Sequence, residues 1–188
     1  AVENFFKKDE IIEFLDSDKS DFRIYPVAQL FGESRFAAFG LESMGGYHPA
    51  KLNIYQNFLS KTGNASTIPL LRMMNVKYLI SPQKINHPDI ELVKRGSLPA
   101  TQGNIPVEVY NLQGYQPRAW FVKDLQYLED EKLFNEIIKP DFNPGDKAFV
   151  NKIVSQPSQA SAAINNLVMG FHKISLKTES LGNQFLVI

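Results

Sequence analysis

Between Ile68 and Ser81 a helical pattern and a strand pattern stand back to back. Ile68 to Met74 reads as a helix, with Thr67 placed to cap it. Pro69 falls in the first turn, where a missing backbone N–H leaves no bond unmade. Val76-Lys77-Tyr78-Leu79-Ile80-Ser81 follows directly and reads as a strand. Helix and strand patterns go on alternating through the first 150 residues, and this predicts a mixed α/β layer structure.

The remaining elements follow the same logic. Asp9 to Leu15 fits a short helix, with Asp9 at the cap and Ile11, Ile12 and Leu15 on one face. Phe22 to Val27 alternates like a strand, with Pro26 at its end or at a sheet edge. Phe36 to Glu42 is a second extended candidate, running into the loop Ser43 to Pro49. Helical spacing returns at Leu52, Tyr55, Phe58 and Leu59, and again at Leu133, Phe134, Ile137 and Ile138. Ile90–Val93, Val107–Leu112, Ala119–Val122 and Lys147–Val150 are further strand candidates. Beyond Val150 the texture becomes polar, which sets a soft boundary there. Lys173–Lys177 and Gln184–Ile188 then read as two strands around the turn Glu179-Ser180-Leu181-Gly182-Asn183. The expected organisation is a mixed sheet with flanking helices over 1–150. Residues 151–188 supply a linker and the first strands of a β-hairpin or sandwich unit.

Composition supports burial of a core and narrows the partners. Apolar residues make up 44% of 188, with 14 Phe and 7 Tyr, so wholesale disorder is excluded. Twenty Lys plus Arg balance twenty Asp plus Glu. That balance argues against a nucleic-acid binder, which needs excess cations facing phosphates. With no cysteine, disulfide scaffolds, thiolate metal sites and cysteine nucleophiles are all excluded. No apolar run reaches the roughly 18–20 residues that cross a bilayer. The opening without Met and the apolar run at the end read as the ends of a piece cut from a longer chain.

Few residues carry chemistry. His48, His87 and His172 stand alone, without metal-ligand spacing, and neither a phosphate loop nor a nucleophile elbow is present. No cofactor is expected. The densest cluster is Gly45, Gly46, Tyr47, His48 and Lys51, followed by Tyr55. Paired glycines open backbone conformations closed to other residues. A ring, an imidazole and a cation within five positions suit a sugar or a phosphate. The alternative is a tight strand-to-helix turn with Tyr47 packed and Lys51 solvated. Arg118, beside Trp120 and Phe121, is either part of a sugar-stacking surface or a carboxylate's ion-pair partner next to a core tryptophan.

Four motifs in order carry a resemblance. Phe22-Arg23-Ile24-Tyr25-Pro26, then Gly45-Gly46-Tyr47-His48-Pro49-Ala50-Lys51-Leu52 with Tyr55-Gln56, resemble the YfhO family of bacterial membrane proteins. Leu70-Leu71-Arg72-Met73-Met74-Asn75-Val76-Lys77-Tyr78-Leu79-Ile80 is similar to that family's helix-to-strand signature. Pro117-Arg118-Ala119-Trp120-Phe121-Val122 is similar to its proline-arginine-alanine-tryptophan strand. The motifs span residues 22 to 122, and their version looks most like that of Bacteroidetes. The stretch between Leu98-Pro99 and Pro117-Arg118 departs from the pattern by looking inserted.

The resemblance implies a polytopic parent, with this chain as its extracytoplasmic part on the outer face of the inner membrane. The family is regarded as similar to membrane glycosyltransferases that use lipid-linked sugars in envelope modification. Catalytic acids are then expected elsewhere in the parent, so this part is expected to be non-catalytic. Its expected partners are the parent's own transmembrane portion and a glycan or polyprenyl-phosphate-linked sugar, met by Gly45 to Lys51, Tyr55 and Arg118. The alternative is a docking module that packs on the membrane helices and binds no ligand.

Overall fold

The computed structural model describes residues 7–47, 52–100, 103–170 and 172–188. Among them are four α-helices, ten strands and two 3-10 turns, so the expected mixed α/β class is what the chain adopts. No helix among the described residues is long and apolar enough to cross a membrane. The chain divides into two compact units, the first from Ala1–Asn53 with Met74–Tyr115, the second from Ile54–Met73 with Gln116–Ile188. Residue 150, at the expected soft boundary, and the segment after it belong to the second unit.

The first unit is built on a four-stranded sheet ordered β1-β2-β4-β3. Its strands are β1 (Arg23–Pro26), β2 (Val76–Ser81), β3 (Ile90–Ala100) and β4 (Gly103–Leu112). β1 runs parallel to β2, while β2–β4 and β3–β4 are antiparallel. Helix α1 (Glu10–Ser17) packs against β3. The Asp9 carboxylate caps α1 by accepting from Ile11 N at 3.0 Å and Ile12 N at 2.9 Å, satisfying two otherwise orphaned donors. The helix's apolar face, Ile11, Ile12 and Leu15, is fully buried, each side chain contributing about 1.5–3 kcal/mol. These three join Phe22, Ile24, Leu30, Phe36, Tyr78, Ile80, Leu98, Val107 and Val109 in one core. Gly96 of β3 lets α1 come close: a Cβ there would stand 2.7 Å from Glu10 Oε1 and 2.8 Å from Ile11 Cδ1.

One local expectation fails in this unit, and two strands run longer than expected. Phe36 to Glu42 forms no strand: a first 3-10 turn, Ala28–Gly32, precedes it, and a second, Arg35–Phe39, covers its first part and is closed by Gly40 at φ +74. Burial of Phe36 and Arg35, 1% and 2% exposed, outweighs the weak strand pattern. The strands expected at Ile90–Val93 and Val107–Leu112 extend to form one long hairpin, β3–β4. Pro99 and Pro106 did not end them, because Pro99 pairs opposite Asn104 and Pro106 opposite Ser97 without breaking the register.

The second unit holds α2 (Asn53–Lys61) from its second residue on, α3 (Ile68–Met73) and α4 (Asp130–Ile137). Its strands are β5 (Trp120–Val122), β6 (Asp124–Tyr127), β7 (Lys147–Val150), β8 (Ala162–Met169), β9 (Ile174–Ser180) and β10 (Phe185–Val187). β6 and β7 run parallel, joined through α4, as the crossover required between parallel strands. β8 and β9 form an antiparallel hairpin. The hairpin expected between Lys173–Lys177 and Gln184–Ile188 does not form: β9 pairs with β8, and β10 pairs with β5. Leu59, Leu70, Leu71, Ala119, Val122, Leu125 and Ile137 are buried in this unit.

Candidate functional site

The segment singled out by sequence begins on the outer edge of β1. Ile24 N donates to Glu42 O at 2.9 Å, and Met44 N donates to Ile24 O at 3.0 Å. Ile24 and Ser43 thereby form an isolated parallel bridge that covers this edge. The Ser43 hydroxyl accepts from Gly45 N at 3.1 Å, and Gly46 N donates to Phe31 O at 2.6 Å. An added Cβ at Gly45 would overlap the Phe31 carbonyl, standing 2.9 Å from its carbon. Gly46 sits at φ +117, in the region that favours glycine. Both glycines are therefore needed to seat the loop against the first 3-10 turn. Tyr47, next in the chain, is 76% exposed. His48 and Lys51 lie outside the described residues.

Gly45, Gly46 and Tyr47 belong to the first unit, Tyr55 and Arg118 to the second. Tyr55, on α2, stacks on Phe58 with ring centroids 6.2 Å apart. Arg118 precedes β5 and is only 8% exposed. Trp120 Nε1 donates to Pro144 O at 2.8 Å, which fixes a half-buried ring. Leu52 and Ile54, flanking the start of α2, are 75% and 80% exposed.

The helix-to-strand motif has a clear local cause. Asn75 stands between α3 and β2 at φ +60, a conformation asparagine tolerates better than most residues. It is 2% exposed, its backbone oxygen accepts from Arg23 N at 2.9 Å and its amide donates to Asp21 O at 3.3 Å. Arg23 Nη1 also donates to Met74 O at 3.0 Å. These bonds seat β1 beside β2.

Ionisable clusters that sequence reasoning missed sit at long sequence separations. Lys77 Nζ donates to Asp18 Oδ2 at 2.5 Å and to Ser20 Oγ at 3.0 Å, and Tyr78 donates to the same carboxylate at 2.9 Å. The ammonium also faces the rings of Phe22, Tyr78 and Tyr115 at 5.8, 5.4 and 5.8 Å. Burial alone would raise the Asp18 carboxyl, but donation from Lys77, Ser20 and Tyr78 holds it well below the usual carboxylate range. Burial lowers Lys77, and the bond to Asp18 overrides it and raises the ammonium. Tyr78 is pushed up, first by burial and then by Asp18. A second cluster joins Glu108 to Tyr110 and Arg95: Tyr110 donates to the carboxylate, and Arg95 Nε donates to it at 2.9 Å. These bonds, Tyr110's first, hold Glu108 below its usual range. No local pattern marks either set.

A shallow cleft of about 320 Å³ opens beside Glu108, lined by Pro82, Gln83, Lys84, Arg95, Gly96 and Val107 among others. Its arginine is paired with Glu108. Among the described residues no three His, Cys, Asp or Glu side chains gather closely enough to hold a metal ion. Comparison with protein-family models, with curated proteins and with solved structures gives no match. Tyr47 and Leu52 of the first unit and Ile54 of the second reach solvent, while the ionic clusters described above are internally paired.

Proposed function

We propose that this chain is a non-catalytic extracytoplasmic part of a YfhO-like bacterial membrane protein, and that it docks on the membrane portion of its own parent. The observation that carries this reading is the exposure of two large side chains of the first unit, Tyr47 and Leu52, within six residues of chain. Exposed apolar side chains scattered singly are ordinary, whereas such a concentration in one segment marks contact with a partner or membrane. The order of the four motifs supplies the identity of that partner. The parent is then similar to membrane glycosyltransferases that use lipid-linked sugar to modify envelope polysaccharide or glycolipid.

A glycan or polyprenyl-phosphate-linked sugar as the ligand of the same segment is the second reading, favoured by the displayed ring of Tyr47. Arg118 counts against it, because a guanidinium withdrawn to 8% exposure is poorly placed to meet a phosphate.

The test uses the full open reading frame, expressed in membranes, with a photo-crosslinking residue at Leu52 or Ile54. Docking predicts an intrachain cross-link to a membrane helix, identified by mass spectrometry. A reading frame without membrane-spanning segments, or no cross-link from either position, removes the proposal. Cross-linking that a polyprenyl-phosphate sugar suppresses in wild type but not in Tyr47→Ala supports the sugar reading instead.

A further inference from the structure

Among the described residues, the outermost strands β1, β3 and β8 each carry a feature that protects the outer edge, and β9 does not. The outer edge of β1 is covered at Ile24 by the bridge to Ser43. β3 is interrupted by a register shift between Leu92 and Lys94. β8 is interrupted between Asn165 and Val168, with Asn166 at φ +53. Such bulges break the row of free N–H and C=O groups that would otherwise template another strand. β9 has no comparable protection. It stays extended from Ile174 to Ser180 and, among the described residues, pairs on one side only, with β8. A two-stranded hairpin is marginal by itself, and a further strand is what would complete it.

We infer that the free edge of β9 pairs antiparallel with β9 of a second copy of this chain. The charge order of the strand selects that occupant. With a two-fold axis through Thr178, Lys177 stands opposite Glu179 of the second copy, and Glu179 opposite its Lys177. Side chains directly opposite in an antiparallel pair share a face, so both contacts are attractive. A two-fold interface forms both at once. Lys177, Thr178 and Glu179 are all exposed, and the Glu179 carboxylate is steadied within its own hairpin by Asn165 Nδ2 at 3.2 Å. The resulting sheet runs β8-β9-β9-β8, with the two bulged strands outermost, where bulges discourage further growth.

Sedimentation velocity across a concentration series, with urea unfolding as a control for folding, tests this. Wild type is expected to dimerise reversibly, and Lys177→Glu or Glu179→Lys alone to associate about tenfold more weakly, each placing like charges opposite. An equimolar mixture of the two variants is expected to recover association as a heterodimer, because the altered strands then carry opposite charges. The double variant recovers it as a homodimer. A monomer up to about 1 mM overturns the inference, as does a dimer indifferent to both reversals. So does filling of the β9 edge by another strand of a longer chain.

Discussion

Arg35 Nη1 stands 2.6 Å from Asp9 Oδ2, and that same Asp9 carboxylate caps α1. One carboxylate therefore ties the second 3-10 turn to the start of the helix. Arg35 is 2% exposed, donates through Nη2 to Lys7 O at 2.7 Å and lies 5.0 Å from the Phe39 ring centroid. Arg35→Met is expected to lower stability by about 3–5 kcal/mol, since it strands a largely buried carboxylate. Arg35→Lys should recover only part of this, because an ammonium lacks the planar fork. Urea unfolding of the three proteins measures both effects.

Gly45 has to be glycine because of the Phe31 carbonyl, so Gly45→Ala should cost about 1–3 kcal/mol through forced backbone movement. Gly32→Ala is the control: a Cβ there meets nothing within 4 Å. The control is expected to unfold within about 0.5 kcal/mol of wild type. Equal urea midpoints for the two variants would contradict this account of the loop.

Asn75 combines left-handed backbone geometry with bonds to Arg23 and Asp21. Asn75→Ala is expected to destabilise by about 1–3 kcal/mol, adding conformational strain to a lost buried hydrogen bond. Asn75→Gly removes the strain and should be the milder change. Thermal unfolding of the two variants ranks them, and the opposite order would show that the backbone conformation is not what selects asparagine.

The Asp18 cluster makes stability depend on pH. A carboxyl held below its unfolded value contributes its full stabilisation above that value; below it the unfolded chain binds the extra proton and the contribution is lost. The contribution is complete at neutral pH and is lost as pH falls below about 4, the ordinary aspartate value. Asp18→Asn should lower neutral stability by about 1–3 kcal/mol and flatten the acid limb of the stability profile. Asp18→Asn with Lys77→Met should cost less than the sum of the single changes, because no buried charge is left alone. Denaturant titrations between pH 3 and 7 supply both readings.

Elements with strong local patterns were legible in the chain itself: α1 with its Asp9 cap, α3 with Pro69 in its first turn, β2, α4 and β7. β6 and β8 were not anticipated. Asp124 to Tyr127 interleaves Leu125 with polar side chains over only four residues, and the Asn165-Asn166 pair interrupts the apolar pattern of β8. Pairing was less legible still. Phe185–Val187 looks like the partner of β9, yet it hydrogen-bonds to β5, more than sixty residues earlier. At the candidate site, the need for paired glycines was visible, but the Phe31 carbonyl that requires Gly45 lies in a turn that read as nothing in particular.

By itself the sequence determined the class of the fold. Helical and two-residue periodicities depend only on near neighbours, so alternating helix and strand patterns were enough to specify mixed α/β layers. The absence of cysteine and the balance of charge likewise needed no coordinates to rule out thiolate sites and to argue against a nucleic-acid binder. Only the tertiary structure decided which strands pair, which arginines are buried and which apolar side chains remain in water. Arg35 carried no reading in sequence and Arg118 stood between a stacking surface and an ion pair, and the fold buries both. Leu52 falls on the expected apolar helical face, and the fold leaves it exposed. Burial is a property of what lies across the chain, and residues tens of positions apart settle it together.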